Sequence, residues 1–295
     1  RKFSSKGFTF DMGPSWYWMP DVIEKYFKTF GKEVHEYFDL IRLDPSYKVF
    51  FSKEDIIDIP ASYEKVKELF EEHEEGSSKK LDMFLAQAKY KYDTGINNLV
   101  HKPSLSITEF FEYEILNGLF KMDIFKSMHS HIRKYFTNEK LIKLLEFPIL
   151  FLGATSKTSP ALYSLMNYAD IKLGTWYPKG GMYKLVEAMV ALAKEKGVKI
   201  YNNQEVVSFN YTNNSISHVL TTKSTFEADY VVCGADYNHI DQNVLEKKYR
   251  NYSTSYWSKR ILAPSSLLFY VGLNKKLKNV KHHCLFFDKD FENHS

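Results

Sequence analysis

A mixed α/β (α+β) chain is predicted by three features of the sequence. The turn Pro178-Lys-Gly-Gly181 feeds a helical pattern in Leu185, Val186, Met189, Val190 and Leu192, and strand-like runs follow it. From Ser62 to about Leu145 the apolar spacing is almost wholly helical. Two short β-rich runs, Tyr47 to Phe51 and Ile56 to Pro60, are separated by Ser52-Lys-Glu-Asp55 and read as a hairpin.

Taken in order, Arg1 to Phe10 is an extended segment turned at Lys6-Gly7 and broken by Asp11-Met-Gly-Pro14. Trp16, Tyr17, Trp18 and Met19 form a cluster that suits either ordinary core or the wall of an apolar tunnel. Pro20 and Asp21 start a helix through Phe30, and Gly31 stops it. Ser62 is placed to cap a helix ending at Glu75-Gly76, Ser78 one running through Val100, and Ser106-Ile-Thr-Glu109 has the form of a capping box. The run from Phe110 to Phe125 is unusually aromatic, with Lys121, Lys126, His129, His131, Arg133 and Lys134 in or after it. Such a segment suits a bilayer interface, and equally a lid of mutually packed helices. The acidic run Glu71 to Glu75 reads as an exposed helix face.

The helix after the glycine turn ends at Lys194-Glu-Lys-Gly197. Strands are expected from Val198 to Val207 and on to Tyr211, from Ile216 to Thr222, and from Phe226 to Cys233, the last a buried strand closing on Gly234-Ala235-Asp236. Tyr237 to Tyr249 reads as a helix and Ser266 to Leu273 as an apolar strand, followed by a solvated turn at Lys275, Lys276 and Lys278.

With 295 residues, 44% hydrophobic and 26% charged, the chain can bury a sizeable core in two or more lobes. A net charge of +4 with Lys and Glu interspersed gives no nucleic-acid stripe and at most a weak preference for anionic headgroups. Cys233 and Cys284 are far apart without metal-ligand spacing, so both read as reduced core thiols in a cytoplasmic protein. No apolar run reaches the ~18 to 20 residues of a spanning helix, so any membrane contact is expected to be peripheral. His129 and His131 would point about 200° apart on a helix, as solvated or capping groups, and His282 and His283 to opposite sides of a strand. No metal site is expected.

The glycine turn has two readings. It merely starts a helix, or the unpaired N–H groups of the helix N-terminus and the missing Cβ atoms admit a flat or anionic ligand. The order of helix, strand, small β-meander and a strand ending in Gly-Ala-Asp resembles flavoproteins with two dinucleotide-binding domains. The strings Phe147-Pro-Ile-Leu-Phe-Leu-Gly-Ala-Thr155, Pro160-Ala-Leu-Tyr-Ser-Leu-Met-Asn-Tyr168 and Trp176-Tyr-Pro-Lys-Gly-Gly-Met182 closely resemble the phytoene desaturase family of FAD-dependent carotenoid desaturases, bacterial type. Gly7-Phe-Thr-Phe-Asp-Met-Gly-Pro14, Phe269-Tyr-Val-Gly-Leu-Asn274 and His282-His283 fit the same family in the same order.

That resemblance implies a partial FAD/NAD(P)-binding flavoprotein fold with a substrate-domain sheet and a helical insertion. It divides the chain into a flavin-side strand and loop (1–15), substrate-domain parts (16–60 and 241–295), a helical lid or membrane-associating insertion (61–165) and the second half of the FAD-binding domain (166–240). It also implies an internal fragment, lacking an N-terminal glycine fingerprint and a C-terminal cofactor segment. FAD is the implied cofactor, with Asp11, Gly13 and Pro14 on the flavin side, Gly180, Gly181 and Met182 at the junction with the substrate cavity, Val206 on adenine, and Gly234, Ala235 and Asp236 in the closing turn. The implied activity is desaturation of phytoene towards lycopene by hydride transfer from the polyene to flavin, with oxygen or a quinone as electron acceptor. A polyene isomerase, ketolase or saturase, or a flavin-free isoprenoid-binding lobe, are the alternatives. The implied partners are a lipophilic polyene and a membrane surface, not nucleic acid. No catalytic acid or base is identified. Gly153-Ala-Thr-Ser156 departs from the Gly-Gly-Asn-Pro of many relatives, which leaves substrate length or step number open.

Overall fold

A computed structural model describes residues 1–96, 100–102, 106, 123, 126–260 and 266–287. The chain forms two compact units, Arg1–Val190 with Pro264–Ser295, and Ala191–Ala263.

The first unit holds the main core. A hairpin pairs β1 (Lys2–Ser5) with β2 (Phe8–Asp11), Phe3 opposite Phe10. Helix α1 (Pro20–Thr29) begins on its proline, which already has the helical φ and has no N–H to leave unpaired. Strand β3 (Leu40–Arg42) pairs with β6 (Trp176–Pro178), which leads into the glycine turn. The expected hairpin forms as β4 (Tyr47–Phe50) and β5 (Ile56–Ile59), and β10 (Cys284–Phe286) joins β4 in parallel.

Alternation along β4 and β5 sends Tyr47, Val49, Ile57 and Ile59 inward. They meet Val66 and Phe70 of α2 (Tyr63–His73) and Leu81, Phe84, Leu85 and Ala88 of α3 (Ser77–Thr94), residues that share a face at helical spacing. Short helix α4 (Met128–Ile132) and α5 (Glu139–Glu146) close this core with Met128, Ile132, Leu141, Ile142 and Leu145, and the one-turn helix α6 (Leu165–Tyr168) packs on α3. Each fully buried Leu, Ile or Phe contributes about 1.5–3 kcal/mol. Asn138 caps α5 by accepting the N–H groups of Lys140 and Leu141.

Several local expectations change. Ser62 occupies the N-cap position of α2 without a side-chain bond, and α3 begins at Ser77 behind Gly76 at φ 75° and ends at Thr94, not Val100. Of the Ser106-Glu109 box only Ser106, and of the run Phe110 to Phe125 only Asp123, is among the described residues, so both expectations lie outside them. The acidic run is more than a solvated face. Glu71 accepts the N–H groups of Gly76 and Ser78, and Glu74 accepts those of Thr137 and Asn138 while pairing with Lys80. His129 pairs with Glu146 and His131 is buried, so neither is a solvated group. Burial pushes His131 down to about 4, and the ammonium of Lys91 beside it, lowered by burial to about 8, binds Ala161 O at 3.1 Å and Ser164 Oγ at 3.2 Å.

Ser266 to Leu273 is not a strand. It lies over the β1–β2 hairpin, Tyr270 meeting the rings of Phe3 and Phe10 at 4.9 and 5.6 Å, and the sheet takes its third strand from Cys284–Phe286 instead.

In the second unit β7 (Val206–Thr212), β8 (Ser215–Thr221) and β9 (Thr225–Glu227) form an antiparallel meander. Residues 198–205 and 228–233 are not strands, because among the described residues no neighbour offers them a ladder. Tyr230 and Val232 are consequently 93% and 97% exposed, and Cys233 is an exposed thiol instead of a core one. The expected helix over 237–249 breaks into a short helical turn, a π turn at Ile240–Val244 and a 3₁₀ turn at Lys247–Tyr249. Buried Asp241 explains the break, since its carboxylate is drawn inward to accept Trp257 Nε1 and Asn251 N, both at 2.8 Å.

Gly174 turns the chain into β6 at φ 86°, and a Cβ there would lie 0.9 Å from the Arg42 guanidinium. Gly174→Ala should lower stability by about 2–4 kcal/mol in thermal unfolding. In an Arg42→Ala background, which removes the clash, the added cost should fall to the φ strain of about 1 kcal/mol.

Candidate functional site

The glycine turn and the start of the chain meet at one carboxylate. Asp11, the last residue of β2, accepts Met182 N at 2.7 Å through Oδ2 and Tyr183 N at 3.2 Å through Oδ1. It therefore occupies the N-terminus of α7 (Tyr183–Glu195), and the donors expected to be unpaired there are taken by the protein's own anion. Glycine is required beside it. Gly180 and Gly181 have φ 93° and 108°, and a Cβ on Gly181 would come 2.6 Å from Asp11 Oδ2. Asp11, Gly180, Gly181 and Met182 are thus one constellation assembled across 171 residues of sequence. Gly13, at φ 128°, has nothing within 4 Å of where a Cβ would stand, so its backbone borders open space, with exposed Pro14 beside it.

A chain of contacts runs from this turn to an aromatic shelf. Tyr177 of β6 directs its hydroxyl to Asp11 Oδ2 at 3.5 Å, and its ring lies 4.1 Å from that of His282. His282 and His283 do not point to opposite sides, because they precede β10 instead of lying in a strand: their rings are 4.6 Å apart and their Nδ1 atoms 3.4 Å apart, His282 exposed and His283 buried. His283 Nε2 lies 2.9 Å from Ser15 O, a bond only an N–H can make to a carbonyl, which leaves Nδ1 as the acceptor. Burial and the neighbouring His282 push His283 down to about 4, so it is neutral at pH 7. Its ring stacks on Trp16 at 4.0 Å.

Around Trp16 the rings of Trp18, Tyr47, Phe147 and Phe151 lie at 5.2, 5.2, 6.1 and 5.5 Å. Tyr47 and Phe147 are buried, whereas Phe151 is 49% exposed beside Leu150 and Leu152, so the shelf has a rigid floor and an open apolar edge. The Phe147–Leu152 segment is a 3₁₀ helix that ends on Gly153 at φ 67°. Beneath the floor sits Asp170, 3% exposed, in the π turn Ala169–Leu173. Tyr47 donates to its Oδ2 at 2.7 Å and Thr175 to its Oδ1 at 3.2 Å, while Trp18 Nε1 donates to Thr175 Oγ1 at 2.8 Å. Burial raises the Asp170 carboxyl to about 6 against the opposing effect of those bonds and of Arg42. Sequence patterning missed Asp170, because one acid in an otherwise helical run carries no spacing signal.

The other predicted residues lie in the second unit. Val206 opens β7, half-buried, and Gly234, Ala235 and Asp236 form an exposed turn in which Asp236 accepts His239 N. Among the described residues no cluster of His, Cys, Asp or Glu is arranged to hold a metal, and no helix is long and apolar enough to cross a membrane.

The flavin-containing amine oxidoreductase family matches residues 1–259. A carotenoid 3,4-desaturase of Haloarcula japonica is 34% identical over 289 residues, covering 98% of this chain and 58% of its own length. A zeta-carotene-forming phytoene desaturase of Myxococcus xanthus is 28% identical, over 97% of this chain and 55% of its own. A 4,4'-diapophytoene desaturase of Staphylococcus haemolyticus is also 28% identical, over 98% and 59%. The chain therefore spans somewhat more than half the length of these curated relatives, whose named reactions differ from one another.

Asp11→Ala should destabilise the protein by about 1–2 kcal/mol, the value of a lost helix cap. Gly181→Ala should cost more, through strain and the displaced carboxylate, and the double variant should cost less than the sum of the two in a denaturation cycle. Because folded His283 and His131 both titrate near 4 against an unfolded value of 6.5, the unfolded chain binds more protons between those values. Stability should then fall as pH drops from about 6.5 towards 4, and replacing His283 with Asn should flatten that slope in equilibrium unfolding.

Proposed function

This chain belongs to the flavin-containing amine oxidoreductase family, within it to the phytoene desaturases, and from that premise we propose that it forms the substrate side and part of the flavin side of an FAD-dependent carotenoid desaturase. The observation that carries the reading is the unbroken run of contacts from the glycine turn through Tyr177, His282 and His283 to the shelf of Trp16, Trp18 and Phe151. A ring-shaped cofactor and a hydrocarbon need to meet at such a junction of bare backbone and aromatic surface.

The residues present fit a flavin on that side. Gly13 offers open space where a side chain would stand, whereas the Cβ positions of Gly181 and Gly180 are taken by the protein's own Asp11 and Lys184, so the open backbone on this side is that of Gly13. Asp11, Gly13, Pro14, Gly180, Gly181 and Met182 of the first unit would hold the ring side; Val206, Gly234, Ala235 and Asp236, in the second unit, are proposed separately as nucleotide contacts. When bound, oxidised FAD supplies an acceptor for a hydride from an allylic carbon of the polyene. The chain's own contribution is placement and exclusion of water. Asp11 spends its charge on the helix N-terminus, and His283 stays neutral, so neither adds a free ion beside an all-hydrocarbon substrate. The aromatic faces accept the hydrocarbon and favour positive charge developing on it as hydride leaves. No acid or base of this chain is assigned to the reaction.

Phytoene, with lycopene as end product, is the proposed substrate, and oxygen or a quinone the proposed electron acceptor. Peripheral contact with a membrane, from the cytoplasmic side, follows from a substrate that resides in lipid. The exposed Leu150, Phe151 and Leu152 and the aromatic-basic composition of residues 110–134 support it. An isomerase, ketolase or saturase of the same scaffold would share the cofactor side and differ in product.

Expression of the complete reading frame in phytoene-accumulating cells should yield coloured polyenes with added conjugated double bonds, resolved by chromatography and absorption. Unchanged phytoene alongside flavin-replete protein would overturn the substrate, and colourless protein after flavin loading would overturn the cofactor.

A further inference from the structure

Two polar handles on the rings of the shelf, Trp18 Nε1 and Tyr47 Oη, lead to the same carboxylate. Tyr47 Oη bonds Asp170 Oδ2 directly, and Trp18 Nε1 reaches Oδ1 through the hydroxyl of Thr175. Thr175 is fully buried and Tyr47 nearly so, which leaves no water to substitute for either bond. The rings themselves would pack without Asp170. Removing a carboxylate from water costs several kcal/mol, and an apolar side chain of similar size would fill the same space more stably. The chain nevertheless winds a π turn at Ala169–Leu173 that brings this acid beneath the shelf, a local distortion often found at functional sites.

We propose that Asp170 is a positioning residue: it aims Trp18 and Tyr47, sets the shelf against which the polyene lies, and changes that setting with its own protonation. This rests on the reading of the shelf as the polyene's support. Charged and titratable groups around Asp170 are few. Arg42 of β3 is spent on the carbonyls of Leu173 and Ala61 and lies near Asp44; Tyr47 of β4 donates; Lys172 of the same turn points away, over the ring of Tyr63; and His283 stands on the far side of Trp16. When Asp170 is ionised both its oxygens accept, and the two arms are held together. When it is protonated one oxygen carries hydrogen, so one arm must turn or let go. With the carboxyl raised to about 6, that change falls between pH 5 and 7.

The test uses the complete flavoprotein labelled with 5-fluorotryptophan, the Trp18 resonance being assigned by Trp18→Phe. The wild-type Trp18 signal should titrate near pH 6, and Asp170→Asn should abolish the titration. Thr175→Val, which cuts only the indole arm, should shift the Trp18 signal at pH 7.5 and raise KM for phytoene in liposomes about 3–10-fold, or shift product towards fewer added double bonds, at unchanged flavin content. Tyr47→Phe should do the same to KM with the Trp18 signal unmoved, and combining either with Asp170→Asn should add little. A Trp18 signal flat with pH in the wild type, or variants that lose thermal stability alone and keep wild-type KM and products, would overturn the proposal. If the wild type converts no polyene while the titration is present and is lost in Asp170→Asn, the substrate reading falls and the hold of Asp170 on the shelf stands.

Discussion

The Asp11 carboxylate at the start of α7 is the constraint on which the site depends. A helix N-terminus carries unpaired donors and partial positive charge, and whatever anion satisfies it is fixed in place. Here the anion belongs to the end of β2, so the first hairpin, the glycine turn and the helix are joined at one point. Lys2 adds a second tie from the same hairpin, to Glu187 one turn into the helix, at 2.8 Å. That surface pair is worth little by itself. The cap fixes the geometry, and Gly181 is glycine because no side chain fits against the carboxylate.

From that point outward the site is a graded change of polarity. The charged end is neutralised locally, the middle is a hydroxyl and two imidazoles, and the far end is aromatic and apolar. His283 is uncharged because charging it would need hydration that its burial between Ser15 and Trp16 denies. Asp170 is sealed beneath the floor with both oxygens occupied.

The shelf in turn leans on the core of the first unit. Tyr47 and Phe147 belong both to the aromatic cluster and to the buried set that contains β4, β5 and helices α2 to α5. Aromatic rings suit this double role because they offer large area with few rotatable bonds. The same core carries Lys91 and His131, whose burial is tolerated because Ala161 O, Ser164 and Asp123 surround the ammonium.

The sequence by itself determined the local elements: Pro20 opened a helix, the β4–β5 hairpin followed from two β-rich runs, and α7 from apolar spacing after a glycine turn. Family motifs in register also singled out Asp11, Gly180, Gly181 and Met182, but as separate flavin-side and junction residues; their contact came from the structure. Spacing within a segment sets such features, because helices and strands repeat locally. Only the tertiary structure decided what each segment meets. It gave the helix N-terminus to Asp11 and placed His283 on Trp16. It also brought Asp170 under the shelf and left the runs at 198–205 and 228–233 without the ladder that a strand requires. A strand exists only when a neighbour accepts its hydrogen bonds, and a cap only when an anion arrives. Neither partner is written in the segment that needs it.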